Sequence, residues 1–109
     1  MNPQFKKGVL TLCVLNLLQT VDQYGYDLIK QIGSNLPISE GTLYPILRRL
    51  KKDGYLTTYL VESEQGPSRK YYKLTKKGDQ YARDLKNEWE LLVQSVEKIV
   101  GKGEERQND

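Results

Sequence analysis

From Gly8 to Leu18 the chain reads Gly-Val-Leu-Thr-Leu-Cys-Val-Leu-Asn-Leu-Leu, and a helix built from it is apolar on nearly every side. Val9, Leu10, Leu12, Val14, Leu15, Leu17 and Leu18 cover almost the whole circumference. A helix of that kind must be buried on several sides. A chain of 109 residues has little core with which to surround it. One side is therefore expected against the chain's own core and another against a partner subunit. Thr11 and Asn16 interrupt the run, which is too short and too polar to cross a bilayer needing roughly 20 apolar residues. No small-residue cleavage site follows it, so a signal peptide is not expected and the protein is placed in the cytoplasm, with no membrane partner.

Helical periodicity recurs in two further segments. Tyr24, Leu28, Ile29 and Ile32 mark a second helix that Leu36-Pro37 stops. A third opens at Ser39, a good N-cap, with Leu43, Ile46, Leu47 and Leu50 as its apolar stripe. Asp53-Gly54 ends it, Gly54 being suited to a left-handed position. Pro45 breaks the pattern, as a first-turn residue or at the loss of one backbone hydrogen bond. The period then changes. Tyr55–Val61 and Lys70–Thr75 read as strands, with Gly66-Pro67-Ser68 as the turn cluster between them. A last helix is expected from about Lys76 to Val100. Leu85, Leu92 and Ile99 repeat at seven, with Trp89 and Val96 as a second line beside them. Such a seam wants another helix.

The order of elements makes the chain mainly α with a β-hairpin: a winged helix-turn-helix followed by a long C-terminal dimerisation helix. The expected boundaries are 1–76 for the winged helix-turn-helix, 77–100 for the dimerisation helix and 101–109 for a disordered polar tail.

Composition removes most catalytic readings. There is no histidine, the commonest general base and metal ligand, and a single cysteine, Cys13, that cannot form an intramolecular disulfide. Gly-rich phosphate loops and metal-spaced cysteines are also missing. No metal, no cofactor and no enzymatic activity are expected.

The charge that matters is local. Net charge is only +3, yet Gln65–Lys77 holds Arg69, Lys70, Lys73, Lys76 and Lys77 with no acidic residue. If the apolar stripe of the third helix faces the core, Thr42, Tyr44, Pro45, Arg48, Arg49 and Lys52 are left for its flanks and outer side. The major groove of B-DNA is about 12 Å wide and admits such a helix. Its amino end carries partial positive charge that favours phosphate. Tyr59, Tyr71 and Tyr72 read as strand packing, not as base-stacking platforms.

Ser39-Glu40-Gly41-Thr42-Leu43-Tyr44-Pro45-Ile46-Leu47-Arg48-Arg49-Leu50, continued by Lys51-Lys52-Asp53-Gly54-Tyr55-Leu56, resembles the recognition-helix signature of the PadR family of transcriptional regulators. Arg69-Lys70-Tyr71-Tyr72-Lys73-Leu74-Thr75 with Lys77-Gly78 is similar to the family's wing return, and Tyr24-Gly25-Tyr26-Asp27-Leu28 to its second helix. The resemblance runs from about Phe5 to Val100. It implies a homodimer, held by the first and last helices, that represses nearby genes from a roughly palindromic operator in double-stranded DNA. On the family pattern Thr42, Tyr44, Arg48 and Arg49 go to the recognition helix and Arg69 and Lys70 to the wing. Ser39, Pro45, Lys52, Gln65, Gly66 and Ser68 are further DNA candidates.

The stretch Asn87-Glu88-Trp89-Glu90 resembles a position in drug-responsive members of the same branch, where a tryptophan from each subunit stacks on flat aromatic compounds. That implies a small aromatic effector, with Val14, Leu85, Leu92 and Val96 as neighbouring candidates. The plainer reading is that Trp89 packs the seam with Leu10, Leu17, Leu85, Leu92, Val96 and Ile99. A winged helix that docks a protein instead of DNA is the alternative function, and it would lack the steep salt dependence of a phosphate contact.

Overall fold

A computed structural model describes the backbone of residues 3–107 and the side chains of residues 7–101. Four helices and three strands follow in the order α1 (Pro3–Thr20), β1 (Gln23–Tyr24), α2 (Gly25–Asn35), α3 (Glu40–Lys52), β2 (Leu56–Ser63), β3 (Gly66–Leu74) and α4 (Lys76–Gln107). This is the expected fold: three helices, a wing, and a long terminal helix.

The core lies where α1, α2 and α3 meet the inner face of the sheet. Leu10, Val14, Leu15 and Leu18 come from α1, Leu28, Ile29 and Ile32 from α2, and Leu43, Ile46, Leu47 and Leu50 from α3. Leu56, Tyr72 and Ala82 close it from β2, β3 and α4. Spacings of three and four residues on each helix bring these side chains to one face. The structure also settles which side of α1 is spoken for. Leu10 and Val14, expected at a seam or an effector site, are each only 1% exposed inside the chain's own core. The opposite side, with Val9, Leu12, Cys13 and Leu17, is half-buried. An all-round apolar helix gives no periodicity from which that choice could be read.

The sheet departs from expectation in two respects. It has three strands in the order β1-β3-β2, because Gln23 and Tyr24 pair antiparallel with Tyr72 and Tyr71. Two residues carry no periodicity, so only the pairing makes them a strand. The hairpin is also tighter than expected. Gly66, Pro67 and Ser68 lie in β3, the turn is at Glu64-Gln65, and the register slips between Val61 and Ser63. Pro67 is tolerated because β1 pairs only with Tyr71 and Tyr72, leaving this end of β3 open on that side.

Two glycines are required by their surroundings. Gly54 has φ +85°, the left-handed turn that ends α3. Tyr72 packs on Gly25 so closely that a Cβ there would lie 2.8 Å from its ring carbon Cε2.

α4 outlasts its expected end at Val100 and continues as helix to Gln107. Gly101 and Gly103 weaken a helix by only about 1 kcal/mol each relative to alanine, too little to end it by themselves. The polar tail expected over 101–109 is thus helical as far as Gln107, while Asn108 and Asp109 lie outside the described residues. Ala82 and the half-buried Leu85 pack the first turns of α4 onto the body, and Asn16 Nδ2 donates to the Ala82 carbonyl at 3.4 Å. Beyond Trp89 the helix projects. The radius of gyration, 17.3 Å, far exceeds the ~13 Å of a compact chain near this length, and the molecule measures 66 × 27 × 22 Å. No helix among the described residues is long and apolar enough to cross a membrane.

Candidate nucleic-acid interface

The apolar stripe of α3 is spent on the core, which leaves its other side to solvent. Tyr44, Pro45, Arg48, Arg49, Lys51 and Lys52 are exposed there. Ser39 takes the N-cap backbone geometry, but its hydroxyl makes no capping bond and lies 3.2 Å from Thr42 Oγ1 instead. Two hydroxyls therefore stand at the amino end, where backbone N–H groups and the helix dipole favour an anion. Pro45 lies inside the helix and not in its first turn, so the Gly41 carbonyl loses its partner, at a position open to water. Arg49 Nε pairs with Asp53 Oδ2 at 3.8 Å, with 71% of the arginine side chain exposed. A pair so solvated contributes little and yields readily to a phosphate.

On the wing, Gln65, Gly66, Ser68, Arg69 and Lys70 are all exposed, yet they do not form one surface with α3. Side chains alternate along a strand, so Lys70, Tyr72 and Leu74 share a face and Arg69, Tyr71 and Lys73 the other. Tyr72 fixes which face looks toward α3. Burial pushes its hydroxyl pKa up, with Tyr44 nearby reinforcing the shift and the Arg48 guanidinium opposing it. Lys70 thus shares the face that turns toward Tyr44 and Arg48.

Arg69 goes elsewhere. The register aligns Tyr24, Tyr71 and Tyr59 in one row across the three strands. Tyr24 stacks on Tyr71 at 6.1 Å between centroids, and Tyr71 on Tyr59 at 5.6 Å. The Arg69 guanidinium lies over the Tyr24 ring at 5.2 Å. Tyr59 donates its hydroxyl to Asp22 at 2.8 Å, a bond that raises its pKa. These rings pack in a row across the sheet, which suits sheet packing better than base stacking.

The apolar candidates also divide. Leu85, Trp89 and Leu92 line a shallow groove of about 250 Å³ together with Gly8, Val9, Leu12 and Glu88. Val14 is in the core, and Val96 lies further along α4, outside that lining. Val9 and Leu12 were not among the expected site residues, again because α1 conceals which of its sides is free. Along the seam Leu17 and Leu85 are half-buried, while Leu92, Val96 and Ile99 stand open, Ile99 at 74% exposure. Leu91 and Val100, which fall outside the seven-residue lines, are equally exposed. A larger open groove, about 720 Å³, runs beside this region, with Val9, Leu12, Cys13, Leu17, Ile32 and Leu36 in its walls. Burial raises the pKa of the Cys13 thiol. Among the described residues no group of three or more acidic, cysteine or histidine side chains is placed to hold a metal.

Comparison with known proteins gives a consistent result. The family described as "Transcriptional regulator PadR-like family" matches residues 14–84. The "Transcriptional regulator YqjI" of Escherichia coli (strain K12) is 30% identical over 96 residues, covering 84% of this chain and 44% of that protein. The chain therefore spans less than half of that regulator. An uncharacterized protein of Lysinibacillus sphaericus is 33% identical over 95 residues, which is 84% of this chain and 87% of that one. Among solved structures, a PadR-like transcription factor from Bacteroides fragilis is 44% identical with a TM-score of 0.75, covering 88% of this chain and 94% of that chain. A PadR-like transcriptional regulator from Bacillus cereus is 33% identical with a TM-score of 0.80, covering 89% and 96%.

Proposed function

Since the chain belongs to the PadR-like family of transcriptional regulators, whose work is gene regulation through DNA and not catalysis, we propose that it acts as a homodimeric repressor of nearby genes. The observation that carries this reading is the uncovered cationic side of α3, with Arg48, Arg49 and Lys52 exposed along one helix whose other side is locked in the core. Ser39, Thr42, Tyr44 and Pro45 at its amino half meet base edges and the nearest phosphates, and the later cations meet phosphates. Lys70 reaches the backbone from the wing. Gln65, Gly66 and Ser68 at the wing tip follow the backbone or the minor groove.

A dimer is supported by the exposed apolar length of α4 and by the open apolar groove along α1 and α2. Burying a further helix there removes both from water. Two copies then set their α3 helices about 34 Å apart, one helical turn along a roughly palindromic operator. The Trp89 groove, at about 250 Å³, falls below the ~300 Å³ at which ligand pockets begin, and a facing copy would complete it. A flat aromatic effector between the two tryptophans relieves repression if it favours a dimer whose α3 spacing mismatches the operator.

A mobility-shift assay on the DNA upstream of the protein's own gene tests the regulator reading. Binding should weaken steeply with salt, with a log–log slope of about 0.9 per phosphate contact. Absence of binding, or binding indifferent to salt, would favour a protein-docking module. Titrating flat aromatic compounds while following Trp89 emission tests the effector, and an unchanged spectrum with unchanged DNA binding would remove it.

A further inference from the structure

The carboxyl end of α3 and the amino end of α4 are bolted together. Thr75 Oγ1 donates to the Gly54 carbonyl at 2.7 Å, and the Thr75 N–H donates to the Tyr55 carbonyl at 3.1 Å. Gly78 sits flush against the same residue, where a Cβ would collide with the Tyr55 carbonyl oxygen. The Tyr55 ring stacks on Tyr81 with centroids 4.5 Å apart. Lys77 spans the joint. Its ammonium donates to the Asp53 carbonyl at 2.8 Å and lies 4.5 Å from the centroid of the Tyr55 ring.

By charge alone Lys77 belongs with the wing cations. By position it does not. Its ammonium is committed to the carbonyl of Asp53, the C-cap of α3, where orphan acceptors and the negative end of the helix dipole favour a cation. We infer that Lys77 is a positioning residue for the recognition helix and contacts no phosphate. Together with Thr75 it fixes the direction of α3 relative to α4. The inference rests on the DNA-binding reading above, because its consequence is felt through α3.

A salt titration separates positioning from phosphate contact. The probe is the duplex upstream of the protein's own gene, and affinities are referred to the folded fraction. Lys77→Met should weaken binding about three- to tenfold at every salt concentration, the size of a lost helix-end contact. Its salt slope should match that of the unaltered protein. Lys77→Arg, which keeps both the donor and the charge over the ring, should restore most of the affinity. Lys70→Met is the comparator, and its slope should become shallower by about 0.9. Amide exchange at Asp53, Gly54 and Tyr55 should quicken in Lys77→Met.

A shallower slope for Lys77→Met would make Lys77 a phosphate ligand and overturn the inference. Unchanged affinity with unchanged exchange would also overturn it. Should the methionine variant fail to fold, Lys77→Gln, which retains a donor without the charge, should lose less affinity with the same unchanged slope, and a shallower slope would again overturn the inference. If the unaltered protein binds no duplex at any salt, the DNA reading fails, while amide exchange still decides whether Lys77 orders the end of α3.

Discussion

α3 and α4 are both amphipathic helices, and the structure uses them in opposite ways. α3 buries its entire apolar stripe, Leu43, Ile46, Leu47 and Leu50, and presents cations to solvent. α4 buries only its first turns and leaves Leu91, Leu92, Val96, Ile99 and Val100 open. A helix with a satisfied apolar side has only polar chemistry to offer, and on α3 that chemistry suits a polyanion. A helix with an unsatisfied apolar side gains most by covering it, and in the proposed dimer another copy does so. The difference lies in what each stripe finds to pack against.

The strongest way to break the comparison is to charge the seam. Leu92→Glu combined with Ile99→Glu should leave the body folded and yield monomers in sedimentation. Operator affinity should fall about 10²–10⁴-fold, the scale lost when two linked contacts become independent. A dimer that survives both charges would move the interface off α4.

The buried stripe of α3 should answer differently. Leu47→Ala should cost about 2–5 kcal/mol in denaturant unfolding, whether or not the protein is assembled. Leu92→Ala should instead lower the melting temperature in a concentration-dependent manner, because its loss is felt through association. If both variants behave alike, the two stripes are not different in kind.

The cationic side is tested by Arg48→Ala. It should weaken operator binding by about 1–3 kcal/mol if the lost contact reads a base, with no change in melting temperature. Equal affinity would remove Arg48 from the site. The smallest effect expected is with pH. Burial raises the Tyr72 pKa in the folded state above its unfolded value. A raised value means the neutral ring supports the fold fully below the ordinary tyrosine range, about pH 10. That support is lost as pH climbs through the folded value. Tyr72→Phe should flatten the alkaline fall in stability, and an unaltered fall would assign it to other groups.

Much of the fold, and the placement of the candidate site on α3, was legible because it depends on local pattern. The stripe of α3 at spacings of three and four, the left-handed glycine at Gly54, and the seven-residue lines of α4 each follow from the period of a helix and the reach of a side chain. What was not legible depends on what lies opposite. Pro67 looks like a turn residue and is strand, because β3 has an open side there. Arg69 and Lys70, neighbours in the chain, go to opposite faces once the register is set. Lys77 counts among the wing cations and yet its ammonium bonds the Asp53 carbonyl just past α3.

The amino-acid order alone determined that three helices precede a basic hairpin, that α3 has an apolar stripe and a cationic remainder, and that α1 must be covered on more than one side. Those properties live in short-range spacing and residue type, which no neighbour can change. Only the tertiary structure decided which side of α1 is core, that Gln23 and Tyr24 complete the sheet, and which cations face outward with α3. Each of those is set by pairing between segments distant in the chain, where one residue of register turns a side chain from one face to the other.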